Sequence, residues 1–281
     1  MTSGDINPDM ASSNAVQPAI APAQPRRFRS LRTIAALILR EMATTYGRSP
    51  GGYLWAVLEP VGAIALYTLV IAVGLRIRNP ALGTIFVLFF ATGQLPFSFY
   101  QRTARKVAAS IRFSRQLLRY PAVRYTDAII ARFILDSMTN LMVFYVVMAG
   151  IHLIYDTSLI LDLPAILLSL TMASMLGLGV GTLNCYLFSA FPVWEQIWSI
   201  INRPLFLLST IFYVFEDIPQ RYQDIVWYNP LIHIVGLMRR GFYPTYDARY
   251  VSPTYVFAVA LITLFFGLLL LNRYHRDIMN S

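Results

Sequence analysis

Lysine occurs once in this chain, at Lys106, and cysteine once, at Cys185. A lone cysteine allows neither an internal disulfide nor a redox pair. The lone lysine has no Gly-x-x-x-x-Gly before it and no Ser or Thr after it, so the chain has no P-loop to cradle a nucleotide phosphate. His152, His233 and His275 lie far apart, without a second cysteine or a His-x-x-x-His pair, which excludes a recognisable metal motif. No Ser-His-Asp arrangement or pair of catalytic carboxylates converges in the sequence. Charge is scarce as well. Only 13% of residues are Asp, Glu, Lys or Arg, against about 25% in soluble domains.

What fills the chain instead is apolar sequence, 57% of 281 residues, arranged in runs that suit a bilayer. Such runs need ~20 apolar residues to cross. They read as six spans of an all-α membrane protein: Leu54–Leu75, Gly83–Tyr100, Thr126–Tyr155, Leu163–Ala190, Ile197–Phe215 and Tyr255–Leu271. These spans lack the several acidic residues of ion-coupled sites. Uphill transport would therefore draw its energy from a partner. The net charge of +9 comes from arginines flanking the spans and does not indicate nucleic acid. With both termini in the cytoplasm, inner segments hold fifteen Lys/Arg and outer segments six, the bias expected of that orientation.

Residues 1–29 are rich in Ala, Ser and Pro and have no apolar run; they read as a disordered cytoplasmic tail ahead of a six-span membrane domain over 30–281. Ser30–Tyr46 places Leu31, Ile34, Ile38 and Met42 at helical spacing and follows Arg26, Arg27 and Arg29, the pattern of an amphipathic helix on the inner membrane surface. A packed cytoplasmic helix fits the same pattern. Glu59-Pro60 interrupts the first span, and Glu59 is expected to pin it by pairing with an arginine. Gly93-Gln94-Leu95-Pro96 predicts a kink in the second. Arg132 and Asp136 stand four apart on the third span and are expected to pair as structural charges; Arg203 is assigned the same role in the fifth. Ala173, Gly177 and Gly181 form a small-residue face on the fourth span for close helix packing.

Two connecting segments carry functional expectations. Gln101–Tyr125 holds seven basic residues and no acidic one, with Val107, Ile111 and Leu118 able to share a helix face. It suits both a positive-inside loop and a helix that docks in a cytoplasmic partner's groove. Between the fifth and sixth spans, Ile225–Met238 is mostly apolar but too short to cross, which predicts a re-entrant or interfacial element containing Trp227, Tyr228, Pro230 and His233.

The order of certain short motifs resembles one family. They are Pro50-Gly51-Gly52-Tyr53-Leu54-Trp55-Ala56 with Glu59-Pro60; Leu118-Arg119-Tyr120-Pro121 with Asp127 and Ala131-Arg132; Arg203-Pro204-Leu205 running into Ile211-Phe212-Tyr213; and Tyr228-Asn229-Pro230-Leu231. Over Ser30–Asn280 they resemble the inner-membrane permeases of capsular-polysaccharide ABC exporters, the KpsM/CtrC/BexB type. These sit within the type-2 ABC exporter permeases that also serve O-antigen and teichoic acid. The resemblance implies a homodimer in the bacterial inner membrane bound to two copies of a separate ATPase, which would hold ATP and Mg while this chain holds no cofactor. It implies a coupling helix between spans two and three, here Arg105, Lys106, Ile111, Arg112, Arg115, Leu118 and Arg119, and short re-entrant helices between spans five and six. The implied cargo is a lipid-linked polysaccharide, handed on to periplasmic export proteins. It would pass along a path lined by spans one and five, for which Tyr67, Phe206, Phe212 and Tyr213 are the candidate aromatics.

Other readings stay open from residues alone. A membrane-embedded glycan or lipid enzyme would need an outer acid and base, for which Glu216, Asp217 and His233 are the candidates. A passive channel and a type-2 permease for another substrate are the remaining alternatives.

Overall fold

The structure is a computed structural model that describes residues 29–45, 52–70, 80–118, 123–155 and 160–280. The described residues are helical, with short turns between helices. In chain order the helices are α1 (Arg29–Thr45), α2 (Gly52–Leu69), α3 (Phe86–Ala108), α4 (Ser110–Leu118), α5 (Tyr125–Tyr155), α6 (Leu163–Ala190), α7 (Pro192–Leu207), α8 (Gln220–Trp227), α9 (Pro230–Phe242) and α10 (Pro253–Asn280). Residues 1–28 of the expected tail and the outer end of the first span, 71–75, lie outside the described residues.

Among the described residues, three helices are both long and apolar enough to cross a membrane: Tyr125–Tyr155, Leu163–Ala190 and the Pro253–Tyr274 part of α10. Leu54–Leu69 is a shorter apolar helix. α3 has 23 residues, but its last turns carry Arg102, Arg105 and Lys106, so its apolar part is short. It continues through Pro96 and past Tyr100 to Ala108, longer than expected. The fifth span departs most from expectation. α7 begins earlier, at Pro192, and stops at Leu207 rather than continuing to Phe215.

α6 stands at the centre. Asp162 starts it by accepting the Ala165 N–H at 3.3 Å. On one face Gly177 and Gly181 meet α3: an added Cβ would come within 2.8 Å of the Thr103 side chain and the Ala104 carbonyl respectively. On the other, Gly179 lets the Ala260 carbonyl and Thr263 of α10 approach. Gly177 and Gly181 of the expected small-residue face thus meet α3, while Gly179, outside that face, opens a second close contact with α10. α9 fills the remaining volume beside α3 and α6, with every residue from Leu231 to Arg239 buried.

α1 packs on α5, but through a different line of residues than its spacing suggested. Leu37 and Glu41 turn inward, while Leu31 and Met42 are exposed. Glu41 explains a second correction. Arg132 is not partnered by Asp136; its Nε lies 2.9 Å from Glu41 Oε1, its Nη1 donates to the Lys106 carbonyl at 3.1 Å, and its guanidinium covers the Phe113 ring at 4.2 Å. Asp136 instead accepts from Thr103 Oγ1 at 2.7 Å and Asn140 Nδ2 at 2.9 Å. A hydroxyl and an amide satisfy that carboxylate locally, which leaves the longer arginine to reach across to another helix.

Candidate functional site

A cavity of about 820 Å³ lies between α2, α3, α6 and α7. Its two ends differ in chemistry. One is polar, with Gln101, Arg105, Asn184, Glu195, Ser199, Asn202 and Arg203. The other is aromatic. Tyr67 sits 5.3 Å from Phe90, 5.8 Å from Phe206 and 5.8 Å from Phe212, ring centre to ring centre, and Phe97 meets Phe206 edge-on at 5.2 Å. Tilted and edge-to-face contacts at these spacings are favourable and fix the rings as a set.

Three of the four candidate path aromatics, Tyr67, Phe206 and Phe212, are thus brought together at one wall. Tyr213 is not; it turns back and donates its hydroxyl to the Leu207 carbonyl at 3.1 Å. Arg203, expected as a structural charge, forms no ion pair among the described residues and lines the cavity instead. Arg105, expected on the coupling surface, also faces the cavity. Glu59 does pair with an arginine, Arg102, at 3.1 Å, and its side chain remains 74% exposed. Two polar atoms at the cavity wall, Gln94 Oε1 and Asn184 Nδ2, are buried without a partner among the described residues.

The basic segment after α3 folds as a separate short helix, α4. Ile111 does not offer an apolar face to a partner: it is buried with Val107, Ile129, Cys185 and Leu271 inside this chain. Arg112 is exposed and pairs with Glu195 at the start of α7, N···O 3.0 Å. Lys106 contributes its backbone carbonyl to Arg132. Arg115 and Leu118 belong to α4, though their side chains, like the whole of Arg119, lie outside the described residues.

The segment between α7 and α10 resolves into two helices of opposite character. α8 buries no residue. α9, by contrast, begins at Pro230 behind an Asn229 cap, whose side chain accepts the Leu231 N–H at 3.1 Å, and buries Leu231–Arg239, Gly241 and Phe242. Trp227 donates its indole N–H to the Tyr250 carbonyl at 3.0 Å, and Tyr228 accepts from Tyr255 through its carbonyl at 2.7 Å. His233 accepts the Ser252 N–H on Nδ1 at 3.2 Å, so its proton resides on Nε2, which donates to the Trp227 carbonyl at 2.9 Å. Burial holds its pKa below the ordinary histidine value. Glu216 accepts from Tyr246 Oη at 2.9 Å, and Asp217 closes a turn on the Val214 N–H. The three outer groups that an enzyme would have needed are each engaged separately and do not converge.

One residue here carried no expectation beyond an outer positive charge. Arg239 is 1% exposed. It donates to the carbonyls of Tyr213 at 2.6 Å and Ile211 at 2.8 Å and lies 4.0 Å over the Phe89 ring. Burial pushes its guanidinium down to about 10, so it stays charged at neutral pH. Nothing in the sequence separates it from Arg240, which follows it on the same helix and is exposed.

An ABC-2 type transporter model matches residues 32–243. Among curated proteins, the polysialic acid transport protein KpsM of Escherichia coli is 29% identical over 238 residues, covering 85% of this chain and 92% of that protein. The capsule polysaccharide export inner-membrane protein CtrC of Neisseria meningitidis serogroup A is 28% identical over 250 residues, 88% and 92% of the two chains. The O-antigen export system permease protein RfbA of Klebsiella pneumoniae is 21% identical over 241 residues, 83% and 88%. With the matched region running from α1 through α9, the chain belongs to the ABC-2 type transporter family.

Proposed function

We propose that this chain is the permease subunit of an ATP-driven exporter that moves a lipid-linked capsular polysaccharide across the bacterial inner membrane. The single observation that carries the reading is the cavity between α2 and α7, polar at one end and walled by fixed aromatic rings at the other. Ring faces offer contact area without demanding one hydrogen-bond pattern, as a passage for a long repeating chain requires. Arg105 and Arg203 at the polar end suit an anionic lipid headgroup. The chain's similarity to KpsM, a polysialic acid transport protein, and CtrC, a capsule polysaccharide export protein, supports the substrate class.

On this reading the chain crosses six times with both termini in the cytoplasm, and α1 lies at the inner interface. α4 couples to a separate ATPase present in two copies, and α8 and α9 are the outer re-entrant pair. ATP and Mg belong to that ATPase. α7 buries none of its residues, and exposed Trp55 and Leu66 on α2 add to the uncovered surface beside it. This is the face a second copy of the chain would cover to complete the path. Replacing Tyr67 or Phe206 with Ala should cut surface polysaccharide by at least about tenfold, the effect of losing one aromatic anchor, while the ATPase still co-purifies. Normal export by both variants would overturn the assignment of the path.

A further inference from the structure

The backbone beyond α7 leaves the helix at Leu207, and Leu208–Val214 is unwound although Ser209, Thr210 and Ile211 are buried. Carbonyls freed at such depth need partners, and here side chains and turns supply them. Tyr213 Oη reaches the Leu207 carbonyl, Asn229 Nδ2 reaches Leu208 at 3.2 Å, Thr210 Oγ1 reaches Ser209 at 2.8 Å, and Arg239 reaches Ile211 and Tyr213. Thr210 adopts a left-handed backbone, φ 56°, which a β-branched residue resists. The unwound stretch is therefore held in place by its surroundings, chiefly by one forked guanidinium.

The two carbonyls that Arg239 holds flank Phe212. That ring meets Phe90 at 5.4 Å, Phe206 at 5.4 Å and Tyr67 at 5.8 Å, at the far end of the cavity from Glu195. Gly93 of α3 admits the strand of backbone: an added Cβ would lie 3.1 Å from Ile211 Cα and 3.4 Å from Arg239 Nη2. We infer that Arg239 is a positioning residue that sets Phe212 across the aromatic end of the cavity, so that α9 governs how far that end is closed. The inference rests on the proposed path for its role in transport, but not for its geometry. Lysine could not replace arginine here, because a single ammonium has no planar fork to bridge two carbonyls.

The test uses the full-length chain in detergent with Cys185→Ser, and cysteine placed by Phe212→Cys. Its maleimide labelling rate is compared with Arg239 intact and with Arg239→Lys, with Tyr222→Cys on exposed α8 as the reference position. Labelling at 212 should accelerate at least about tenfold in Arg239→Lys, the factor for losing one charge-assisted hydrogen bond, with the rate at 222 unchanged. An equal rate at 212 overturns the inference. If Arg239→Lys does not accumulate, Gly93→Ala, which presses on Ile211 while leaving Arg239 in place, is read the same way: faster labelling supports the inference and an unchanged rate overturns it. Export in cells reports separately on the path. Faster labelling with normal export keeps the positioning role and removes the path reading.

Discussion

Glu41→Ala is the perturbation whose size follows most directly from the structure. Glu41 and Arg132 approach to 2.9 Å, with side chains 10% and 6% exposed, and they join α1 to α5. At an effective dielectric near 20, charges at that separation attract by ~6 kcal/mol, most of it offset by desolvating both ions. Removing one partner is different, because the other charge stays buried without compensation, a cost of about 3–5 kcal/mol. α1 can relieve that cost by lifting off and letting water reach Arg132, so the variant should release α1 before the bundle unfolds. A shift of about 3 kcal/mol raises the released fraction by ~150-fold. Tryptic cleavage after Arg32 and Arg40 reports that fraction when reclosing outpaces cutting, and should accelerate by roughly 100-fold. The double variant Glu41→Leu with Arg132→Met removes both charges and should recover most of the docking. It will remain about tenfold faster than the parent, because the bond to the Lys106 carbonyl is gone as well. Acceleration of less than about threefold in Glu41→Ala would refute the claim that this pair docks α1.

Gly179→Ala should lower the thermal midpoint by an amount corresponding to about 1–3 kcal/mol, since the new Cβ collides with the Ala260 carbonyl and Thr263. Gly150→Ala, which meets nothing within 4 Å, should raise it slightly through helix propensity. Because His233 has a depressed pKa, the unfolded chain takes up the proton first as pH falls. The stabilisation is thus present above the unfolded value of about 6.5 and lost as pH drops through the folded one. The difference in thermal midpoint between the parent and His233→Gln should therefore narrow from pH 7.5 to 5, and a constant difference would refute the neutral-histidine assignment. Replacing Arg112 and Arg115 together with Glu should abolish co-purification of the ATPase while membrane insertion persists; retained co-purification would sink the coupling role of α4.

The long apolar runs announced α5 and α6 nearly to the residue, and the start of α10 though not its extension to Asn280, because burial in lipid leaves a composition signal that needs no neighbour to interpret. The glycines of α6 were readable for the same reason, though not that they face two helices. The end of α7 was not. Leu208–Val214 is as apolar as a helix interior, and what unwinds it comes from Asn229 and Arg239, far along the chain. Arg132 shows the same limit: spacing placed Asp136 within reach, but the choice of Glu41 depended on Thr103 and Asn140 having already claimed that carboxylate. Ile111 was legible as apolar and illegible as to side, since a docking face and a core face look alike at helical spacing. In the cavity, Tyr67, Phe206 and Phe212 were candidates because the resemblance implied a path along spans one and five, whereas Arg105 and Arg203 needed the fold to bring their walls together.

α7 has a turn at each end, at Phe191–Pro192 and beyond Leu207, and no buried residue between them. Between those joints it is held by the Trp194 indole N–H on Asn184 Oδ1 at 3.0 Å and by Phe206 among the aromatic rings, so a tilt strains those contacts and leaves the buried core intact. Its inner end carries Glu195, tethered to Arg112 of α4, and its other end carries Phe206 among the aromatic rings. At 1.5 Å per residue its 16 residues make an arm of about 24 Å. A push of a few ångström on α4 would thus swing Phe206 through a comparable arc, while α3, α6 and α10, locked by their glycines, stay put. On the proposed coupling, the subunit would divide into a frame and a rocker, and the stroke would be delivered without unpacking the core.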